Sequence, residues 1–512
     1  MEGREGVGAR DSFQEMVNTA CCGLIGFLPP NEQVWKDAKW GEGSDEFFFT
    51  KGQRSFDTLH LVAMDTRTGD TRVVLTETSK TFVEMNARSG GLPNWRVVND
   101  NSQVIWFSER DGWGHLYRFD LGTGELLNRI TEGPWLVVDL LNVDEGGGWV
   151  YFTGVGREEG NDPYYRHLYR ARVDGSAFER LTPEDADHNI TASPSGGFFL
   201  DTYSTPTSEP VSVVRRGDGV EVMTVEEGDF GPLLDTGWDW PVPFKAKARD
   251  GVTDLYGFLY FPSDYDPEML YPVLDYIYPG PQTGPIGYRQ STPGARGNGR
   301  ALAELGFFVF TIDAFGTPLR SKAFHDAYYG NMGDNGIPDH IHALRQLAVQ
   351  YPGMDLDRVG IFGHSGGGFS STDALLRHPG FFDVAVSSAG NHDNRSYDYT
   401  WGEKYQGRWS KKDNGTDTFD SQANQHMVGN LKGKLLLLYG TLDDNVHPNA
   451  TLLVIDELIK KNKDFDLIVL PNRNHGYANE PYVIRRTWDY FVEHLLGFQP
   501  PREYTIRPPE GG

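Results

Sequence analysis

The sequence predicts two folds in one chain: an all-β first half made of repeated small sheets, then a doubly wound, mostly parallel α/β sheet. Three observations carry that expectation. A strand-like phrase recurs through the first half, at His60, His115, His167 and Pro210. After about Phe244 the short aromatic runs give way to apolar runs alternating with amphipathic ones. Deep in the second half a run of small residues, Gly363–Gly367, stands between an apolar run and a helical one.

The 512 residues allow two to four domains at about 150 residues each. They carry 72 acidic and 47 basic side chains, a formal charge of −25. Phosphate binding needs clustered Lys and Arg, so nucleic acid is excluded as a partner, and an anionic membrane surface with it. The acidic surface instead favours solubility. With 38% hydrophobic and 13% aromatic residues the chain can build real cores, which excludes a disordered protein. No run approaches the roughly 18 apolar residues of a transmembrane helix. The two cysteines, Cys21 and Cys22, are adjacent, so they give neither a disulfide framework nor a cysteine-rich zinc site. No metal-ligand spacing and no phosphate-cradling loop appears, so no metal and no cofactor is expected.

Residues 1–39 read as an N-terminal extension. Their apolar stretch, Ala20–Leu28, follows a mixed acidic and basic leader, unlike a secretory signal with its basic region directly before the apolar run. As the chain stands it is expected to be soluble and cytoplasmic, or periplasmic or secreted if its native N-terminus is missing. The sequons at Asn189, Asn394, Asn414 and Asn449 matter only in a glycosylating secretory pathway.

Residues 40–240 carry the repeat. HLVAMDTRTG starts at His60, HLYRFDLGTG at His115, HLYRARVDG at His167 and a weaker PVSVVRRGDG at Pro210. An aromatic strand candidate precedes each: EFFFTKG from Glu46, VIWFSER from Val104, WVYFTGV from Trp149, GGFFLDTYS from Gly196. Another β-like run follows, such as DTRVVLTE or SAFERLTP. Strands joined by tight Asp-Gly or Thr-Gly turns and repeating at this period make propeller blades. About four such units fit, giving a truncated propeller; a β-sandwich, the competing architecture, lacks such repetition.

Residues 241–512 alternate strands and helices. YPVLDYIY, FFVFTID, RVGIFG and KLLLLYG read as buried strands, and IPDHIHALRQLAVQYP and NATLLVIDELIKKNK as helices between them. Such a pattern indicates a parallel sheet covered on both faces. The boundary is expected in the Trp238–Phe244 segment of GWDWPVPF, whose two prolines would interrupt either fold.

The chemistry concentrates in this second half. GHSGG at Gly363–Gly367 is a G-x-S-x-G motif in strand–turn–helix context, the nucleophile elbow of an α/β-hydrolase. The small residues let Ser365 occupy a sharp turn, and the Gly366 N–H faces the place where an oxyanion would form. A hydroxyl needs a base, and in this fold the acid and then the histidine follow the serine. Asp443 and Asp444 lie in the loop after one strand, and His475 lies after the next.

These residues resemble the dipeptidyl peptidase IV branch of the prolyl oligopeptidase family, over roughly Asp45 to Arg507. GTLDDNVHP is similar to that family's GT-x-DDNVH segment, which implies Asp443 as the acid and Asn445 as a contact to the substrate carbonyl. YIYPGP resembles its oxyanion segment, which implies the Tyr278 hydroxyl as a second donor beside Gly366. WGEKYQG, with Tyr397 upstream, is similar to the pocket-lining stretch and implies Tyr397, Trp401 and Val446 as pocket walls. Two departures stand out. The family's ring has about seven or eight blades, and the absent part would hold the paired glutamates that take a substrate's free amine; neither Glu158–Glu159 nor Glu226–Glu227 matches their position. Asn394 and Gly366 stand where the family often has tryptophan and tyrosine, which would open the pocket.

The resemblance therefore implies a serine peptidase cleaving short peptides through an acyl-enzyme, with a relaxed need for a free amino terminus. A broad esterase on the same triad is the alternative, and a non-catalytic propeller scaffold a distant one. The blades are expected to form an open arc. A homodimer, or residues 1–39 folded on the first blade, would cover its exposed side.

Overall fold

The computed structural model describes residues 33–86, 91–287, 289–291 and 297–506. The cysteine pair and the apolar stretch Ala20–Leu28 lie outside the described residues. The first half forms four antiparallel sheets of four strands, each in chain order. The first contains β1 (Gln33–Trp40), β2 (Glu46–Gln53), β3 (Thr58–Asp65) and β4 (Thr71–Thr78); the second contains β5 (Trp95–Val98), β6 (Gln103–Ser108), β7 (His115–Asp120) and β8 (Leu126–Arg129). The third contains β9 (Leu136–Asp144), β10 (Trp149–Val155), β11 (His167–Arg172) and β12 (Phe178–Arg180); the fourth contains β13 (Asp187–Ala192), β14 (Phe198–Ser204), β15 (Val211–Arg216) and β16 (Glu221–Glu227).

The repeated phrase is the third strand of each sheet, and its histidine has a structural task. His60, His115 and His167 each hold a threonine of the adjacent segment, Thr76 at 2.8 Å, Thr131 at 3.0 Å and Thr182 at 3.3 Å. The turn that follows is an Asx turn: Asp65 accepts from the N–H groups of Arg67 and Thr68, and Asp120 from those of Gly122 and Thr123. Gly69 and Gly124 complete these turns at φ of 77° and 74°, values that only glycine adopts without strain. Among the contacts that join successive sheets, one side chain at each junction reaches a backbone carbonyl of the next sheet. Arg72 reaches the Leu121 carbonyl at 2.7 Å, Asn128 that of Val173 at 3.0 Å, and Arg170 that of Gly217 at 3.0 Å. One apolar core runs through the first three sheets. Among the described residues, no hydrogen bond or ion pair joins the fourth sheet to the first.

The second half is one eight-stranded sheet: β17 (Val242–Lys247), β18 (Asp254–Tyr260), β19 (Tyr271–Tyr276), β20 (Phe308–Asp313), β21 (Met354–His364), β22 (Val384–Ser388), β23 (Lys434–Gly440) and β24 (Asp466–Leu470). Its order is β17-β18-β20-β19-β21-β22-β23-β24, antiparallel over the first two junctions and parallel thereafter. One face packs on the helices Ile337–Gln350 and Asn449–Lys460, the other on Gly299–Glu304 and Pro481–Phe491. This is the α/β-hydrolase sheet beside a β-propeller domain, the fold class expected. Among the described residues, no helix is long and apolar enough to cross a membrane.

One expected boundary and one expected strand break need correction. Residues 33–39 are not an extension laid on the first blade: with Trp40 they form β1, the first sheet's own strand, paired with β2 from Gln33↔Gln53 to Trp40↔Phe47. Pro243 does not interrupt the second fold either. It sits inside β17, which pairs only with β18, and an edge strand tolerates a residue that cannot donate to the ladder.

The halves are joined by buried and partly buried ion pairs. Arg289, 1% exposed, bonds Asp313 of the hydrolase at 2.9 Å and Asp162 of the third sheet's loop at 3.1 Å, while its backbone N–H donates to Asp187 at the head of the fourth. Arg54, from the first sheet, grips Glu403 at 2.6 and 2.9 Å, and Lys404 reaches Glu84 at 2.7 Å.

Candidate active site

Ser365 stands between β21 and the helix Gly366–Arg377, as its N-cap, at φ 60° and ψ −122°. Such a backbone costs about 1–3 kcal/mol for a residue with a side chain. The surrounding glycines explain how the turn closes. A Cβ on Gly363 would lie 2.4 Å from the Ile277 carbonyl, one on Gly367 2.3 Å from the same atom, and one on Gly368 2.3 Å from the Ser388 carbonyl. The turn is pressed against neighbouring backbone, so only glycine fits. Gly366 is the first helical residue, and its N–H belongs to the first turn, which has no partner inside a helix.

Asp443 and His475 follow β23 and β24, the two strands beyond β22 at the same sheet edge. His475 Nδ1 lies 2.8 Å from Asp443 Oδ2. The other carboxylate oxygen accepts from the N–H groups of Asn445 and Val446 at 3.1 and 2.8 Å. Asp443 is buried and its neighbour Asp444 exposed. Because a carboxylate only accepts, it fixes the proton on Nδ1 and leaves Nε2 as a base. No hydrogen bond joins Ser365 to His475, a gap that sites of this kind close when substrate tightens them.

Tyr278 lies in the turn after β19, its ring beside Gly366. Burial pushes its hydroxyl above the ordinary tyrosine range, while Ser365 and Gln282 pull it the other way. Tyr397 and Trp401 meet edge to face at 5.6 Å. The Tyr397 hydroxyl donates to Asn445 Oδ1 at 3.0 Å; burial pushes it up to about 12, the charges of Tyr278, Asp398 and Asp443 adding to the effect. Val446 is buried, its N–H spent on Asp443. Asn394 is buried in an amide cluster, accepting from Asn391 at 2.7 Å and donating to Gln422 at 2.8 Å.

Three features of the site escaped sequence reasoning. His364, before the nucleophile, sits 2.8 Å from the carbonyl oxygen of His475 through Nε2 and 2.9 Å from Ser388 through Nδ1. Burial, and then the neighbouring His475, hold it down to about 4, so it stays neutral. Gln282 contacts both Tyr278 and Trp401. Phe82, from the loop after the first sheet, stacks edge-on against His325 and Tyr405 at 5.2 and 5.0 Å. Only the motif's variable position could have flagged His364; the other two depend on distant partners.

The acidic candidates for an amine anchor are committed elsewhere. Glu158 accepts from Tyr169 at 2.9 Å and pairs with Arg157 and Arg180. Glu226 and Glu227 lie exposed on β16, the outermost strand of its sheet. A cavity of about 530 Å³ between the first two sheets and the hydrolase holds Glu77, Glu84, Glu109 and Asp326. Each has a base: Arg110 for Glu77, Lys404 for Glu84, and Lys322 for Glu109 and Asp326. Among the described residues, Glu184, His188 and Asp201 bring ligand-type atoms together. Arg215, however, bonds Asp201 and Glu184 at 2.8 Å each, and its guanidinium already supplies the cation.

Comparison with known proteins settles the relationship. The model of the prolyl oligopeptidase family matches residues 295–497, and that of the dipeptidyl peptidase IV N-terminal region matches residues 21–210. The chain belongs to the prolyl oligopeptidase family. Within it the likeness is to the dipeptidyl peptidase IV branch. Human dipeptidyl peptidase 8 is 31% identical over 384 residues, covering 72% of this chain and 41% of that protein. Dipeptidyl peptidase 4 of Trichophyton rubrum is 26% identical over 443 residues, covering 83% and 55%. The chain thus spans about half the length of the curated relatives it matches. The crystal structure of Porphyromonas gingivalis dipeptidyl peptidase 4 superposes with a TM-score of 0.78 at 24% identity, covering 91% of this chain and 65% of that one; it establishes the shared fold.

Proposed function

We propose that this member of the prolyl oligopeptidase family is a serine peptidase acting on short peptides through Ser365, His475 and Asp443. The observation that carries the reading is the 2.8 Å contact of His475 Nδ1 with Asp443, placed at the sheet edge where the strained Ser365 turn projects. His475 Nε2 takes the Ser365 proton as Oγ attacks the substrate carbonyl. The oxyanion that forms is received by the Gly366 N–H and the Tyr278 hydroxyl. Collapse breaks the C–N bond, His475 returns the proton to the leaving amine, and water then cleaves the acyl-enzyme by the same route.

The reading extends to specificity. Asn445 contacts the substrate carbonyl, Tyr397, Trp401 and Val446 wall the pocket for the residue before the cut, and the need for a free amino terminus is relaxed. The last point is supported by the commitments of Glu77, Glu84, Glu109 and Glu158 to bases. A fluorophosphonate probe tests the core of the proposal. One adduct on Ser365 is expected, absent in Ser365→Ala, with turnover lowered by several orders of magnitude because triad members act as a unit. Labelling that persists in the variant, or activity within about tenfold of the parent, would move the chemistry elsewhere.

A further inference from the structure

The turn that carries Tyr278 reads Tyr278-Pro279-Gly280-Pro281-Gln282, and it folds back on itself. Its carbonyls are pinned from the hydrolase side: Tyr328 donates to that of Pro279, and His325 Nε2 lies 2.5 Å from that of Pro281. Gly280 makes the fold-back possible. A Cβ there would lie 2.7 Å from Gln282 Oε1, 2.8 Å from the Tyr278 ring and 2.9 Å from Gln282 Nε2. The Gln282 amide therefore lies in the space a side chain would fill.

Its two ends are occupied in a defined sense. Trp401 Nε1 lies 2.9 Å from Gln282 Oε1, and Gln282 Nε2 lies 3.1 Å from the Tyr278 hydroxyl. An indole N–H can only donate, so it dictates which way the amide faces: oxygen to Trp401, nitrogen to Tyr278. Tyr278 then accepts at its oxygen, and its own proton remains available for another acceptor. Chains of this kind polarise each member, which makes the terminal O–H a better donor.

We infer that Gln282 is a positioning residue for the oxyanion hole, holding the Tyr278 hydroxyl with its proton toward the reacting carbonyl and tying that donor to Trp401 in the pocket wall. The inference rests on the reading of Tyr278 as an oxyanion donor. A pocket filled against Trp401 would thereby steady the group that stabilises the transition state, so the link acts on kcat.

A double-mutant cycle tests it. Tyr278→Phe should lower kcat by about 10²–10³ with little change in KM. Gln282→Met keeps the length but removes both hydrogen bonds, and should lower kcat about tenfold, on the scale of one or two hydrogen bonds. Gln282→Glu should be worse than Gln282→Met. It still accepts from Trp401, but at its other end it draws the Tyr278 proton to itself and away from the oxyanion. In the Tyr278→Phe background neither change should lower kcat further, whereas a purely structural role would keep its full effect there. Additive losses, an effect on KM alone, or Gln282→Glu better than Gln282→Met would overturn the inference while leaving Tyr278 in place. An unaffected kcat in Tyr278→Phe would overturn the reading beneath it. Should Gln282→Met fail to fold, Trp401→Phe removes the other hydrogen bond of the relay. It should lower kcat several-fold in the parent and not in Tyr278→Phe; equal losses in both would contradict the relay.

Discussion

Asp443 and Asp444 are neighbours in sequence with opposite surroundings. The first is 3% exposed and gives one oxygen to His475 and the other to two backbone N–H groups. The second faces solvent. An acid that orients the imidazole and stabilises its cation contributes about 10⁴ in rate. Asp443→Asn should lose activity on that scale, and Asp444→Asn should stay within a few-fold of the parent, by steady-state kcat on a peptide anilide. The reverse ranking would mean that the acid is the other residue. At this scale much was legible. The strained turn at Ser365 and the contact of His475 with Asp443 and not Asp444 are what motif order and family likeness lead one to expect, because a nucleophile elbow demands small residues at fixed spacing. Gln282 was not legible. Its partners, Tyr278 and Trp401, lie 4 and 119 residues away, and nothing in a P-G-P-Q turn says that the last side chain returns over the first.

Among the elements, the helix Tyr399–Gln406 is one that connects the two folds. It presents Trp401 to the pocket and Glu403 and Lys404 to the first sheet, where Arg54 and Glu84 hold them. Arg54→Ala leaves the Glu403 carboxylate, 4% exposed in its side chain, without its cation. Arg54 is itself 31% exposed, so the cost is nearer about 1–2 kcal/mol than the ~3–5 kcal/mol of a fully buried pair. The expected outcome is a thermal midpoint lowered by a few degrees and a KM raised several-fold, as the pocket wall loosens. An unchanged KM would show that the propeller does not support the pocket. The four sheets were legible because the strand phrase and its Asp/Gly turn recur with the blades, although the His–Thr pairing is confined to the first three. The first strand of each sheet was less so, and β1 was read as an extension: its hydrophobic signal is short, and its pairing partner β2 defines it more than its own residues do.

At the scale of the molecule, Arg289 bonds Asp187 and Asp162, 102 and 127 positions away, and Asp313 of the hydrolase, and so ties two of the sheets to the second half. No local pattern could announce it. The fourth sheet meanwhile turns an apolar face outward. Phe198, Leu200 and Met223 are 47%, 42% and 56% exposed, and the pairings Leu200↔Val214 and Val214↔Met223 put the last two on one side. The acidic groups between the first two sheets and the hydrolase, Glu77, Glu84 and Glu109, are already paired with bases, and that is the physical ground for proposing a site that accepts substrates without a free amine.

Competing hydrolysis of glycyl-prolyl anilide, its N-acylated counterpart and a short acyl aryl ester, each by the parent and by Ser365→Ala, tests that account most directly. The account predicts Ser365-dependent cleavage of both anilides at comparable kcat/KM. A preference for the free amine above about 100-fold, equivalent to ~2.7 kcal/mol of transition-state binding, would contradict the relaxed site, and cleavage of the ester alone would contradict a peptidase.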